Sequence, residues 1–187
     1  MIRGFCVFQG QEVIPAVKDM KDFERILKRN EEFFVVLEVH ISQLARMRKL
    51  AKEVNKRMIL HADLIQGLRS DRYAAEFLCQ TIKPAGIIST RSDMLRIAKK
   101  NHIMAIQRLF LLDTLALHTS FQLARTVEPD VIELLPGIIP SYIHKVQEET
   151  GIDVIAGGLI ETEDDVRKAL KGGAQAVTTS RRDLWNM

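Results

Sequence analysis

Short apolar runs alternate with amphipathic stretches along the chain. Eight of these runs are rich in Val, Ile, Leu and Ala, and each ends at a polar residue or a glycine. Nearly continuous apolar runs are typical of parallel strands that helices cover on both faces of the sheet. The predicted strands are Val13–Lys18, Phe33–Glu38, Arg57–Asp63, Ala85–Thr90, Ile103–Arg108, Asp130–Gly137, Asp153–Gly158 and Ala174–Ser180.

The segments between the runs have helical periodicity. In residues 41–55, four apolar side chains recur at the spacing that places them on one helix face. These are Leu44, Met47, Ala51 and Val54. After the seventh run, Thr162 is placed as an N-cap with Asp165 three residues later, and the following helix is expected to end at Gly172.

Eight alternations of strand and helix predict an α/β fold, a compact (β/α)8 TIM-type barrel. An open doubly wound sheet is the structural alternative, but it typically has about five or six strands and would leave two runs unexplained. The chain has no linker, low-complexity segment or break in composition. We therefore expect a single barrel domain over residues 1–187.

Composition narrows the class of protein. With 47% hydrophobic and 27% charged residues, the chain has the profile of a soluble globular protein. No apolar run approaches the roughly 20 residues that a membrane span needs, and the first residues do not form a signal peptide. Cys6 and Cys79 are too few for a disulfide framework, so we expect two buried thiols. These features predict a cytoplasmic protein with no membrane partner.

Polar residues close most of the predicted strands. In this fold the C-terminal ends of the strands meet at one face, and functional sites gather there. We therefore predict a pocket for a polar ligand at that face. The side chains expected to contact the polar part of the ligand are Lys18, His61, Asp63, Gln107, Arg108 and Glu133.

The last two strand–helix units favour a phosphate. The loops after strands seven and eight bind phosphate in many barrels, and glycine allows a close approach of the backbone. The predicted phosphate-binding residues are Gly157, Gly158, Thr178, Thr179 and Ser180. Acidic residues in the first turn of the seventh helix would repel an anion, so we place it at the start of the final helix "RRDLW". The alternative is a tight turn at the glycines and a helix cap at the hydroxyls.

His61 and Asp63 are two residues apart, so they share one face of their strand. They fit a general base with its orienting carboxylate, a pair of metal ligands, a pair that binds ligand hydroxyls, or a buried pair with a packing role. A metal needs further ligands, and we expect neither a metal nor a cofactor. Lys18 fits a Schiff-base lysine or a point charge beside an anion.

A basic cluster lies in the segment "RMRKLAKEVNKR" (Arg46–Arg57), in which six of twelve residues are basic. An exposed helix face of this kind could contact the phosphates of RNA, or it could be the solvated outer face of a barrel helix. Aromatic side chains for base stacking are not interleaved with the basic ones. The candidate RNA contacts are Arg46, Lys49, Lys52 and Lys56.

A series of motifs occurs in a characteristic order from Val13 to the C-terminus. The motifs are "VIPAVKDMKDFE" (Val13–Glu24), "HADLIQGLRSD" (His61–Asp71), "GIISTRSDMLRIAKK" (Gly86–Lys100), "IQRLFLLDTLAL" (Ile106–Leu117), "PDVIELLPGIIP" (Pro129–Pro140), "IAGGLIETEDDV" (Ile155–Val166) and "TTSRRDLW" (Thr178–Trp185). Together they resemble the glycerol uptake operon antiterminator regulatory proteins, the GlpP-like family.

The resemblance implies a bacterial regulator with a barrel fold and no enzymatic activity. Such a protein responds to glycerol 3-phosphate and acts on the mRNA leader of glycerol-uptake genes, where it lets polymerase pass a terminator. The family's His-x-Asp-Leu-Ile-x-Gly-Leu segment matches residues 61–68. Its Gln-Arg pair falls on Gln107 and Arg108, and its Glu before Leu-Pro-Gly falls on Glu133.

Two stretches depart from the family pattern. The final Ser-Thr-Ser of the family is Thr178-Thr179-Ser180 here, which keeps three hydroxyls and should keep the anion site. The segment after strand two commonly bears glycine, whereas this chain reads "LEVHIS". We therefore expect Glu38 and His40 to bring charge to the rim and to affect how the ligand fits there.

The sequence leaves two hypotheses for the function. The first is a transcription antiterminator that senses glycerol 3-phosphate. The second is a small phosphate-handling barrel enzyme, an isomerase, lyase or phosphodiesterase, that would use His61, Asp63, Lys18 and Glu133. The family resemblance favours the first, and short loops leave little chain to form a lid that excludes water. The number of copies in the assembly stays open, a homo-oligomer included.

Overall fold

All eight predicted apolar runs form strands, which pair in parallel and close into one barrel in chain order. The computed structural model describes residues 7–187, so the predicted thiol of Cys6 lies outside the described residues. The strands are β1 (Val13–Val17), β2 (Phe33–Val36), β3 (Arg57–His61), β4 (Gly86–Ser89), β5 (Met104–Phe110), β6 (Val131–Leu135), β7 (Val154–Gly157) and β8 (Ala176–Thr179).

Seven α-helices follow the first seven strands. They are α1 (Met20–Ile26), α2 (Leu44–Glu53), α3 (Arg72–Phe77), α4 (Ser92–Lys100), α5 (Thr114–Val127), α6 (Pro140–Thr150) and α7 (Glu163–Lys171). The strand β8 is followed by a short 3-10 helix, Arg182–Asn186. This architecture confirms the predicted (β/α)8 fold. No helix in residues 7–187 is long and apolar enough to cross a membrane.

The strands have two apolar faces that contribute to two separate cores. One set of side chains, including Ile14, Phe33 and Ile106, packs inside the barrel. The other set packs against the surrounding helices. Because side chains alternate between the two faces of a strand, the residue at every second position points into the barrel. This alternation decides which of the polar residues near the strand ends reach the interior.

The predicted N-terminus of α7 is confirmed. The Thr162 side chain accepts a hydrogen bond from the Asp165 backbone N–H, and the Asp165 carboxylate accepts one from the Thr162 N–H. This reciprocal capping box satisfies two backbone donors that the helix itself leaves unpaired. It therefore positions the loop that connects β7 to α7, which borders the mouth of the barrel.

The apolar stripe predicted for α2 is shorter than expected. Leu44, Met47 and Ala51 are buried, but Val54 is largely exposed. The helix ends at Glu53, and Asn55 then adopts a left-handed backbone with φ of 58°. The chain has left the helical path at Val54, so helical spacing no longer predicts which way its side chain points.

Lys56 is also placed differently from the expectation of an exposed basic face. Its side chain is only 7% exposed, and its Nζ donates hydrogen bonds to the backbone oxygens of Arg29 (2.9 Å) and Glu31 (2.5 Å). Burial lowers the pKa of Lys56. The residue ties the start of β3 to the segment before β2, and it is not part of the exposed basic surface of α2.

We expect the substitution Lys56→Ala to lower the free energy of unfolding by about 2 kcal/mol, because two carbonyl oxygens lose their charged donor. Urea unfolding followed by circular dichroism measures this change. The matched control is Lys52→Ala on the exposed face of α2, which should change stability by less than about 0.5 kcal/mol. Equal effects of the two substitutions would contradict the structural role of Lys56.

Candidate ligand-binding site

A cavity of about 340 Å³ opens at the C-terminal face of the barrel. Its walls come from the ends of β1, β2, β5, β6 and β8 and from the connections after β3 and β7. The polar residues that line it are Lys18, Arg108, Glu133, Glu161, Thr178, Thr179, Ser180 and Arg181. The cavity therefore lies where the sequence predicted a polar pocket, between the last two strand–helix units and β1.

A buried ion pair lies on the inner side of this cavity. Glu133 on β6 is 1% exposed, and its Oε2 accepts a hydrogen bond from Arg108 Nε at 2.8 Å. The Nη2 of Arg108 lies 2.8 Å from the same oxygen in the ion pair. Its Oε1 accepts a hydrogen bond from the Thr178 hydroxyl at 2.8 Å. Both carboxylate oxygens therefore have donors, as a buried charge requires.

Gly157 is required by this network. A Cβ at residue 157 would overlap the Thr178 hydroxyl and come within 3.0 Å of Glu133 Oε1. Gly157 does not line the cavity, although the sequence placed it among the phosphate-binding residues. Its neighbour Gly158 does line the cavity, and its φ of 72° suits a glycine. The two glycines therefore have different structural roles.

His61 is buried beside the ion pair, with 2% of its surface exposed. Neither of its ring nitrogens has a hydrogen-bond partner among the described residues. Burial, followed by the positive charge of Arg108, lowers the pKa of His61 to about 4. The imidazole is therefore neutral at pH 7, and it can donate or accept a hydrogen bond.

Asp63 does not pair with His61. Its Oδ1 accepts a hydrogen bond from the Ser89 hydroxyl (2.7 Å), and its Oδ2 accepts from the N–H and hydroxyl of Thr90 (2.8 and 3.1 Å). The carboxylate holds the end of β4 and does not orient the imidazole. Gln107 is likewise turned away from the cavity, because its Nε2 donates to the Ser120 backbone oxygen in α5.

The hydroxyls predicted to bind phosphate are not equivalent. The Thr178 hydroxyl donates to Glu133, and the Thr179 hydroxyl donates to the Ile160 oxygen and accepts from the Arg181 N–H. Ser180 lines the cavity, where its hydroxyl can meet a ligand. Since the following 3-10 helix has only five residues, the anion contacts depend on side chains and local N–H groups more than on a helix dipole.

Sequence analysis missed Arg181 and Leu159 as cavity residues. Arg181 stands in the quoted "TTSRR" segment, where its cationic side chain was a usable signal. Leu159 carried no such signal, because an apolar residue after two glycines reads as an ordinary core position. Glu38 and His40 are exposed, and neither lines the cavity, whose wall at β2 is Val35 and Leu37.

A separate basic surface lies on α2, where Arg46, Lys49 and Lys52 are exposed. None of these residues lines the cavity. Within residues 7–187, no three His, Cys, Asp or Glu side chains are grouped as they would be around a metal ion. The free thiol of Cys79 is buried, and burial raises its pKa to about 11.

A comparison with protein-family models shows which family the chain belongs to. A family model described as glycerol-3-phosphate responsive antiterminator matches residues 13–185. The chain belongs to this antiterminator family. The match spans every strand of the barrel and both sides of the cavity, and it confirms the resemblance seen in the sequence motifs.

Solved structures of related antiterminators have the same fold. The glycerol uptake operon antiterminator regulatory protein from Listeria monocytogenes str. 4b F2365 is 47% identical, with a TM-score of 0.93 and coverage of 96% of this chain and 97% of that chain. The glycerol uptake operon antiterminator-related protein TM1436 from Thermotoga maritima MSB8 is 34% identical, with a TM-score of 0.80 and coverage of 95% and 99%. The Escherichia coli K12 protein YgcP, described as uncharacterized, is 32% identical over 94% of this chain and 92% of its own length.

The lowered pKa of His61 predicts how the stability of this antiterminator depends on pH. His61 has a pKa of about 4 in the folded state against 6.5 in the unfolded state, so the unfolded state binds more protons between these values. The stabilisation is complete above about pH 6.5, and it is lost as the pH falls toward 4. We expect wild type to lose about 2 to 3 kcal/mol from this group between pH 7.5 and 4.5.

Urea unfolding of wild type and of the His61→Gln variant at both pH values measures this contribution. The variant should lose less stability on acidification, by about 2 to 3 kcal/mol. His118→Gln is the matched control, since His118 is exposed and should leave the pH dependence as in wild type. If all three proteins lose the same free energy, His61 is not neutral in the folded state.

Proposed function

We propose that this antiterminator binds glycerol 3-phosphate in the barrel cavity and, in the bound form, acts on the mRNA leader of glycerol-uptake genes. The family model supports the ligand and the regulatory role. The position of the cavity at the loops after β7 and β8 supports a phosphate, since many barrels bind phosphate there. A volume of about 340 Å³ suits a small molecule.

The observation that carries the proposal is the different polarity of the two ends of the cavity. The inner end has the Arg108–Glu133 ion pair, which leaves no uncompensated positive charge for a phosphate and can exchange hydrogen bonds with hydroxyls. The exposed outer end has Lys18, the Ser180 hydroxyl and Arg181, which is paired with Asp183, and it also has the Glu161 carboxylate. Lys18 forms no ion pair among the described residues, so it is the cation available to a phosphate. We therefore orient the ligand with its phosphate at the rim and its glycerol hydroxyls toward Glu133 and Arg108.

The same geometry favours sensing over turnover. Lys18 is exposed, so nothing desolvates it as a Schiff-base lysine requires. Asp63 is hydrogen bonded to Ser89 and Thr90, so it does not orient His61 as a general base. The side chains considered for the enzyme alternative therefore either stabilise the fold or line the cavity. None of them forms an acid–base pair with another.

Glycerol 3-phosphate should stabilise the protein against heat. At a ligand concentration one hundred times the dissociation constant, we expect the melting temperature to rise by about 5 to 10 °C. Differential scanning fluorimetry measures the shift. Glycerol and inorganic phosphate at equal concentration are the ligand controls, because each offers only half of the contacts.

A pair of serine variants localises the binding. Ser180→Ala should weaken glycerol 3-phosphate binding by about tenfold, because a hydroxyl donor to the phosphate is lost. Ser141→Ala, at an exposed position in α6, should bind as wild type does. An absent shift in wild type, or equal affinities of the two variants, would count against the cavity as the ligand site.

For the RNA contact we propose the exposed basic surface of α2. Arg46, Lys49 and Lys52 lie on it, and none of them forms an ion pair with a carboxylate among the described residues. Cations without a protein partner are available to phosphates, and the release of counterions then makes binding depend on salt. Lys56 is left out of this surface because it is buried.

Reversing the three charges should weaken binding of the leader RNA and flatten its salt dependence. We expect the triple variant R46E/K49E/K52E to reduce the slope of log K against log salt by about 2. The control is K28E/K100E/K171E, which makes the same change in net charge at exposed positions on or beside three other helices. Filter binding at several salt concentrations should separate the two variants; equal losses would show a general charge effect without a defined surface.

A further inference from the structure

Exposed apolar side chains are concentrated on one part of the mouth of the barrel. Six of them lie at the end of β5, in the connections after β5, β6 and β7, or in the first turns of α5 and α6. We call these six residues the apolar arc: Phe110, Leu112, Leu115, Ile138, Tyr142 and Leu159. The three connections are in contact, since Leu111 N–H donates to the Leu135 oxygen (2.7 Å) and Gly137 N–H to the Gly157 oxygen (2.6 Å).

The exposure within the apolar arc is high. Leu112 and Leu115 are 78% and 77% exposed, and with Phe110 they border a groove of about 420 Å³ that continues along α5. Single exposed leucines are ordinary, whereas neighbouring ones on a monomer usually indicate a contact surface. Burying each leucine would remove a large apolar area from water.

Leu159 has an unusual backbone for an exposed residue. Its φ is 59°, a left-handed conformation that glycine or asparagine adopts at lower cost, and its side chain is 63% exposed. A large apolar side chain at such a position gains nothing from burial within this chain. A contact with another molecule would explain why a leucine occupies this exposed, left-handed position.

The charged residues along the apolar arc are few. Between residues 109 and 123 the only Asp, Glu, Lys or Arg is Asp113, whose carboxylate caps α5 by accepting from the Ala116 N–H. Arg91 lies beyond the β5 end, next to Thr90 of the groove, and Glu161 lies beyond the β7 end. Neither forms an ion pair with another described residue.

This distribution of apolar and charged side chains favours another protein surface over RNA as the partner. Two cations adjoin the arc: Arg108, over the Phe110 ring, is paired with Glu133, and Lys145 lies over the Tyr142 ring. With the acids Asp113 and Glu161 nearby, this is too little free positive charge for RNA, which is therefore disfavoured. A two-fold interface contacts the same surface patch on both copies, and it places opposite ends of that patch against each other. In such an arrangement the apolar centre packs on its own copy, and Arg91 of each copy lies near Glu161 of the other.

We propose that the apolar arc is a self-association surface through which a second copy of this chain binds with two-fold symmetry. The apolar arc provides the buried centre, and the Arg91–Glu161 pairs at its two ends set the orientation. Leu159 of the arc and Glu161 at its end also line the cavity, so self-association is tested on the protein without ligand.

The first test is the mass of the full chain in solution without ligand. Sedimentation equilibrium between about 1 and 100 µM at physiological salt should give a mass approaching twice 21.3 kDa at the upper concentrations. The double substitution L112D/L115D should raise the dissociation constant by at least about 100-fold, since four leucines lose their contact in each dimer. A wild-type mass of 21.3 kDa throughout overturns the proposal.

Two exposed apolar positions outside the arc provide a matched control. V54D/Y73D adds the same charges at exposed side chains and should leave the dissociation constant unchanged. Both double variants change only exposed residues, and circular dichroism checks that each is folded. An equal effect of the two double variants, or RNA binding by the arc of a monomeric wild type, overturns the proposal.

A charge swap tests the orientation. R91E and E161R should each weaken self-association by about fivefold, because like charges then meet at both ends of the arc. The double variant R91E/E161R restores opposite charges and should return the dissociation constant to near the wild-type value. If the double variant is as weak as the sum of the single changes, the two-fold arrangement is wrong.

Discussion

The ion pair between Arg108 and Glu133 is the constraint around which the inside of the barrel is arranged. A charge placed among apolar side chains is costly unless it is paired and hydrogen bonded. Arg108 donates its Nε–H to one carboxylate oxygen of Glu133 and pairs with its charge, and Thr178 donates a hydroxyl to the other oxygen. Three strands, β5, β6 and β8, therefore contribute one side chain each to a single network.

Neighbouring residues have adapted to this network. Gly157 on β7 lies between two members of it, and no side chain fits there without displacing the Thr178 hydroxyl. His61 on β3 stays neutral because it is buried beside Arg108. A barrel interior normally fills with branched apolar residues, as the lower layers of this one do. The polar layer marks the level at which the interior changes from apolar core to polar cavity.

A sensor and an enzyme could use the same residue types here. The hydrogen-bond partners of these residues distinguish the two functions. An acid–base pair needs a carboxylate that orients the imidazole, whereas Asp63 is held by Ser89 and Thr90. A sensor needs a pocket that distinguishes a phosphate from hydroxyls, and the proposed function assigns these roles to the rim cations and the inner ion pair. Membership of the antiterminator family agrees with a regulatory role.

The sequence alone determined the order of elements, the barrel and the region of the site, because apolar runs and helix caps are local patterns read over a few residues. Tertiary structure decided which side chains enter the cavity. Arg108 and Thr178 point into the barrel while Gln107 does not, and Lys56 is buried instead of exposed. These outcomes depend on strand register and on partners distant in the chain, such as the 45 residues that separate Glu133 from Thr178. Local periodicity contains no information about such contacts.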